Sequence, residues 1–319
     1  MTFCKISLKP LNKTSKYEGY NNLPFKNLFQ SLKVHPKLGF TRKDFFIEST
    51  VKSRGMSISG LQQKLSLKLN HKKELVITDT DGEYILKPSP EAFPNASENE
   101  HCAMLTSRLF NVEAAPCGLI CFSDNEPAYI TKRFDRHGGI KIHQEDLAQG
   151  FGMESEKKYS QSYEAAGKLV HKMTNGKAAV VFDFFRRVVH AFVTGNDDMH
   201  LKNLSLQKLP GNTGLYYDRM TQHYDCLFTQ AFDHISRSDV LALDLLAEEK
   251  DDVYTGYDFK LLGEKLGLRE KLISNFIHDI IQKETALVDL INHSFMPDCM
   301  KTKAVSIVEQ RMKALALGF

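Results

Sequence analysis

GNDDMHLKN, residues 195–203, is the stretch whose reading decides this chain. It follows AVVFDFFRRVVHAFV, residues 179–193, whose apolar residues recur at helical spacing. Thr194, Gly195 and Asn196 are breakers that end such a helix. Past that break, Asp198 precedes Asn203 with four residues between them. An acid so placed before an amide suits a loop in which a carboxylate takes a hydroxyl's proton and the amide oxygen holds a metal ion. Alone, two residues fit a polar loop after a helix better than a site. The rest of the chain has to supply the other parts, in a workable order.

Composition sets the bounds. The 319 residues leave room for two domains, or for two lobes sharing a cleft. An apolar share of 42% supports a sizeable core and argues against bulk disorder. A net charge of +3 is too weak for a nucleic-acid-binding face, so no direct nucleic-acid contact is expected. No apolar run reaches the roughly 18 residues of a membrane span, and residues 1–16 hold none of signal-peptide length. Six scattered cysteines are too sparse for a secreted disulfide framework and point to reduced thiols in the cytoplasm. Cys117 and Cys121 could begin a zinc site. No second Cys or His pair follows at ligand spacing, which favours buried thiols on a strand.

Outward from the central loop, the first 50 residues are Lys-rich, with Pro10, Pro24 and Pro36, and read as an extension packed on a first lobe. Residues 51–70 carry Gly55, Ser57, Ser59 and Gly60, then alternating Leu65, Leu67 and Leu69. That is a small-residue loop leading into a half-buried strand: an exposed turn, or a loop whose backbone N–H groups approach a phosphate. Residues 75–78 and 84–87 flank Asp81-Gly82 and read as a hairpin. Lys87, the only charge on the second of those strands, is either an edge gatekeeper or a phosphate contact. Residues 97–110 read as a helix. In it Glu100 either completes a capping box with Ser97 or pairs with Lys87. CGLICF and AYITKRF, separated by SDNEP, give two more strands. Helices are expected near 162–174, 179–194, 238–248, 258–266, 269–293 and 301–316. Asp225 follows an aromatic after an irregular stretch.

In chain order these are a small-residue loop, a strand lysine, a helix glutamate, and a helical lobe with Asp-x-x-x-x-Asn and one further Asp. That is the part list of a two-lobed kinase. An amide and a carboxylate, Asn203 and Asp225, suit Mg²⁺, and Asp198 suits a proton acceptor. His200 and Lys202 suit phosphate contacts, though His200 serves equally as a structural hydrogen bonder. A pseudokinase that binds a partner without catalysis is the competing class, and the presence of all four of Lys87, Asp198, Asn203 and Asp225 argues against it. A metal hydrolase built on Asp197, Asp198 and His200 lacks a second ligand pair.

SISGLQQKLS, YILKPSP, ENEHCAM, KRFDR, HQEDLAQ, GNDDMHLKN and YDCLF together resemble the HipA family of bacterial serine/threonine toxin kinases. The chain is similar to its short HipT-type members, which LGFTRKDFF and the paired serines also resemble. The resemblance implies an α+β, two-lobed protein-kinase-like fold, with a β-rich lobe over 1–135 and an all-helical lobe over 136–319. It implies Asp198 as catalytic base, Asn203 and Asp225 as Mg²⁺ ligands, and Lys87, His200 and Lys202 on ATP. Ser59, Gly60, Leu61, Gln62, Gln63 and Lys64 would cover the nucleotide, and Lys132, Arg133 and Phe134 would form the hinge at the adenine. Ser57 and Ser59 would be autophosphorylated. Implied partners are an aminoacyl-tRNA synthetase as substrate and antitoxin proteins, one of them DNA-binding. A cytoplasmic bacterial protein follows, with export into a host cell left open. Cys226 and Leu227 after Asp225 depart from a DFG continuation, which argues against a DFG-style switch and leaves the metal role of Asp225 as it is.

Overall fold

The computed structural model describes residues 2–53, 63–137, 140–233, 239–248 and 253–319. The chain packs as two compact units. One comprises Met1–Leu105, Ala115–Gly139 and His293–Pro297; the other comprises Thr106–Ala114, Ile140–Asn292 and Asp298–Phe319.

In the first unit, helices α1 (Asn22–Phe29) and α2 (Arg42–Ser53) precede strands β1 (Leu65–Leu69), β2 (Leu75–Ile77) and β3 (Tyr84–Pro88). Helix α3 (Ala96–Thr106) and strands β4 (Cys117–Cys121), β5 (Pro127–Lys132) and β6 (Arg136–His137) follow. β1 to β5 form one antiparallel sheet in the order β2-β1-β3-β5-β4. The hairpin around SDNEP forms, with Asn125 at a left-handed φ of 69°. The hairpin expected of residues 75–78 with 84–87 does not, because β1 lies between those strands. Asp81 does take a left-handed φ of 57°. The turn instead carries the chain past β1, so closely that a Cβ on Gly82 would stand 2.7 Å from Ser66 Cβ. Asp-Gly reports a local bend; which strands pair depends on which faces complete the core.

That core sets Phe25, Leu28 and Phe29 of α1 and Phe45 of α2 against Leu67, Tyr84, Leu86 and Ile130 of the sheet. The N-terminal residues are continuous with it. Lys5 O accepts from Leu119 N at 2.8 Å. A Cβ on Gly118 would come 2.7 Å from Ile6 Cγ1, so only glycine lets this segment lie on β4.

The second unit holds β7 (Ile140–Lys141), β8 (Gln144–Asp146), α4 (Leu147–Gly150), α5 (Tyr163–Met173) and α6 (Ala178–Thr194). After the central loop come β9 (Ser205–Gln207), β10 (Arg219–Met220), α7 (Gly256–Lys265), α8 (Glu270–Gln282), α9 (Glu284–Asn292) and α10 (Asp298–Ala316). This unit is mainly helical but not wholly: β10, β9 and β8 form an antiparallel sheet. Strands of two or three residues are too short to print a periodicity. The helix expected over 269–293 breaks at Lys283. The one expected over 238–248 is absent from the described residues there. Leu241, Leu243 and Leu245 are buried at alternate positions, and the carbonyls of Asp244 and Leu245 accept from the N–H groups of Tyr163 and Glu164. The segment is bent chain that satisfies the first turn of α5.

Candidate active site

α6 carries the chain to the central loop and ends on Gly195, whose φ is 60°. A Cβ there would also meet Ile307 Cγ2 at 2.8 Å, so glycine is required twice over. Thr229 Oγ1 then accepts from Asp197 N (2.8 Å) and donates to Gly195 O (2.9 Å). These bonds help separate the two acids: Asp197 is buried, at 2% exposure, whereas Asp198 stays partly exposed. The Asp198 carbonyl accepts from His200 N at 2.8 Å and from Asn203 Nδ2 at 2.9 Å. With its nitrogen so engaged, the Asn203 carboxamide keeps Oδ1 as its acceptor end.

Two consecutive residues absent from the sequence reading hold this loop. Tyr159 O–H donates to Asp198 Oδ1. Lys158 Nζ donates to His200 Nε2 at 2.8 Å, and Lys158 O accepts from Leu201 N. Burial lowers the His200 pKa to about 4; the Asp198 carboxylate opposes that shift and the Lys158 ammonium reinforces it. The ring is therefore neutral with its proton on Nδ1, which is buried and has no hydrogen-bond partner among the described residues. The bond from Lys158 gives His200 a structural role and leaves Nδ1 facing no described partner. Lys202 Nζ reaches Ser155 Oγ at 2.8 Å.

Asp225 sits at a left-handed φ of 57°, and its carboxylate is close enough to act on His200. Tyr224 O–H donates to Lys202 O at 2.8 Å and Asn196 Nδ2 to Cys226 Sγ at 3.5 Å, tying the two loops together. The structure thus brings Asp198, His200, Lys202, Asn203 and Asp225 to one locality.

In the first unit Lys87 Nζ lies 2.7 Å from Glu100 Oε1, with the glutamate side chain 1% exposed. The capping alternative for Glu100 is not realised. α3 already begins at Ala96, and Ser97 Oγ donates to Lys87 O at 3.0 Å. Lys87 also lies 5.7 Å from the centre of the Tyr129 ring. Lys132 ends β5, and Arg133 makes two bonds to the Asp135 carboxylate, at 2.8 and 2.7 Å. Phe134 is half-buried. Gln63 Oε1 accepts from Ser49 Oγ at 2.5 Å, and Lys64 is exposed. Ser57, Ser59, Gly60, Leu61 and Gln62 lie outside the described residues.

A β-sheet unit carrying a buried Lys–Glu pair and a helical unit carrying Asp-x-x-x-x-Asn define a kinase-like α+β fold. Comparisons with known proteins agree. The fold resembles Shewanella oneidensis HipA, solved with HipB and operator DNA, with a TM-score of 0.64 and 20% identity over 82% of this chain and 66% of that one. It also resembles the Helicobacter pylori proinflammatory kinase CtkA, with a TM-score of 0.56 and 16% identity over 83% of this chain and 93% of that one. Residues 56–287 match the HipA-like C-terminal domain, and the chain belongs to that family. A Haemophilus influenzae protein named as a candidate kinase is 33% identical, with 94% of each chain aligned. A Sinorhizobium fredii protein, Y4dM, named in the same way, is 28% identical over 82% of this chain and 67% of its own length.

Proposed function

We propose that this protein is a serine/threonine protein kinase that uses ATP and Mg²⁺ and acts as the toxin of a toxin–antitoxin pair. The observation that carries the reading is a hydroxyl already donating to Asp198 Oδ1, on a loop whose Asn203 amide is locked to the Asp198 carbonyl. Asp198 is the base: the hydroxyl oxygen of the substrate attacks the γ-phosphorus of ATP, its proton passes to Asp198, and ADP leaves. The donor set fits the metal, since Asn203 Oδ1 and the Asp225 carboxylate are hard oxygen ligands. When bound there, Mg²⁺ offsets phosphate charge. His200 Nδ1–H, a buried donor without a partner among the described residues, suits a phosphoryl oxygen. Lys87, oriented by Glu100, contacts the phosphates, with Lys202 as a further cation. Residues 59–64 cover the nucleotide, residues 132–134 meet the adenine, and Ser57 and Ser59 are autophosphorylated.

The solved HipA relative is bound to HipB and operator DNA, which supports a DNA-binding antitoxin partner here. An aminoacyl-tRNA synthetase as substrate and a bacterial cytoplasmic location complete the reading. Among the described residues no helix is long and apolar enough to cross a membrane.

The test is labelled-phosphate transfer with and without Mg²⁺, alongside ATP calorimetry, for wild type and Asp198→Ala. The variant is expected to lose roughly 10²- to 10⁴-fold in rate while still binding ATP. Transfer at the wild-type rate removes Asp198 from the base role. A wild-type chain that binds ATP and never labels any protein is a pseudokinase.

A further inference from the structure

Three side chains that the kinase reading leaves unused converge inside the second unit. His190 comes from α6, and His223 and Cys226 flank Asp225. They are 0%, 1% and 0% exposed. One ligand atom from each lies within 4.8 Å of the others. The Cys226 Sγ to His190 Nδ1 distance is 3.7 Å. A tetrahedral centre with a metal–sulfur bond of about 2.3 Å and a metal–nitrogen bond of about 2.0 Å sets sulfur and nitrogen about 3.6 Å apart. That edge is already in place.

The outer contacts are of the kind metal-bound imidazoles make. Thr106 Oγ1 lies 2.7 Å from His190 Nε2, and Ser107 Oγ lies 3.2 Å from His223 Nδ1. In the tautomers in which each hydroxyl accepts a ring N–H, the other nitrogen of each ring carries its lone pair, that of His190 facing Cys226 Sγ. Two consecutive hydroxyl residues thus orient both rings. The charged group facing them is Arg187, held by Asp183 at 2.8 Å and Thr221 O at 2.6 Å. Asp183 matches its charge, and a thiolate on Cys226 offsets one of the two charges of a divalent ion.

We propose that His190, His223 and Cys226 supply three ligands of a site for one thiophilic cation, Zn²⁺ in the first instance, the fourth tetrahedral position being taken by a solvent molecule. Two imidazoles and a thiolate select such an ion over Mg²⁺. On binding, the Cys226 S–H bond is replaced by sulfur–metal coordination and the proton leaves to solvent. The ion joins α6, residues 106–107 and residues 223–226, and so fixes the segment that carries Asp225. The bland alternative, which takes up no metal, is a hydrogen-bond network of these five side chains with Asn196, whose Nδ2 donates to Cys226 Sγ.

The experiment strips the full-length protein with a chelator and titrates it with Co²⁺ alone, without nucleotide or Mg²⁺. The expected result is one equivalent bound, with a thiolate-to-cobalt charge-transfer band and tetrahedral visible bands, and displacement by Zn²⁺. Cys226→Ser is expected to abolish the charge-transfer band, while Asp225→Asn, which removes no ligand of this site, keeps it. Thr106→Val is expected to weaken binding roughly 10- to 100-fold by freeing the His190 ring. A wild-type protein that gives no charge-transfer band at excess Co²⁺ overturns the proposal, and so does a band that survives in folded Cys226→Ser. None of these readouts depends on phosphoryl transfer, so the site and the kinase reading stand or fall separately.

Discussion

Tyr159 holds the oxygen that a substrate hydroxyl would need. Its O–H donates to Asp198 Oδ1, and that bond has to break before another hydroxyl docks there. A hydrogen bond to a charged group is worth roughly 1.5–3 kcal/mol when buried; both partners here are partly exposed, so about 1 kcal/mol is a fair figure. Tyr159→Phe is therefore expected to raise kcat/KM for protein substrate by roughly 5-fold, with ATP affinity unchanged. A fall in kcat at constant KM would instead make Tyr159 a residue that positions the base. The loop that joins Asp198 to Asn203 was legible in the sequence because one short segment carries both residues, at the spacing that phosphoryl transfer uses. Lys158 and Tyr159 were not. Tyr159 lies 39 positions before its partner, in a stretch, SEKKYSQ, that has neither periodicity nor punctuation. Nothing local records a contact made only by tertiary approach.

Between elements, the pairing of β3 with α3 rests on a buried charge pair. Lys87 follows Leu86 on β3, so alternation sends it to the face opposite the aromatic core. There its side chain is 10% exposed and meets Glu100. Removing one partner of such a pair strands the other charge and costs about 3–5 kcal/mol. Lys87→Met and Glu100→Leu are each expected to lose that much in urea unfolding, and the double variant less than either. ATP calorimetry separates the roles: affinity should fall wherever Lys87 is replaced, including the double variant that regains stability. Additive losses in the cycle would remove the pair as a unit. The strand and the helix were each readable from pattern, but the two jobs open to Glu100 were not resolvable, since Ser97 fits a cap as well as a helix interior. Alternation likewise lost to period 3.6 in the reading of residues 238–248. LALDLL satisfies both templates, and only the hydrogen bonds to α5 decide it.

At the scale of the molecule, buried neutral histidines set an acid limit. Burial lowers the His101 pKa to about 4, against a small opposing effect of its bond to Ile6 O. The unfolded chain titrates near 6.5, so the folded state binds its proton later. Stability from the neutral ring is complete above pH 6.5 and drains away as pH falls toward 4, by about 2 kcal/mol at pH 5. The urea midpoint should drop between pH 7 and pH 5, and the drop should be smaller in His101→Gln. An unchanged pH slope in that variant would sink the assignment. The α+β class was readable because both periods are strong over long runs. Strand order was not, because it depends on which faces must be covered. That order also has a temporal consequence. Tyr20 O–H bonds to Leu119 O, 99 positions further along, and the α1 aromatics pack on Ile130. At a synthesis rate of about 5–20 residues per second, the first helix would wait roughly 5–20 s on the ribosome for the strands that cover it. Phe25, Leu28 and Phe29 are thus an apolar surface displayed throughout that interval, and a natural landing place for a nascent-chain chaperone.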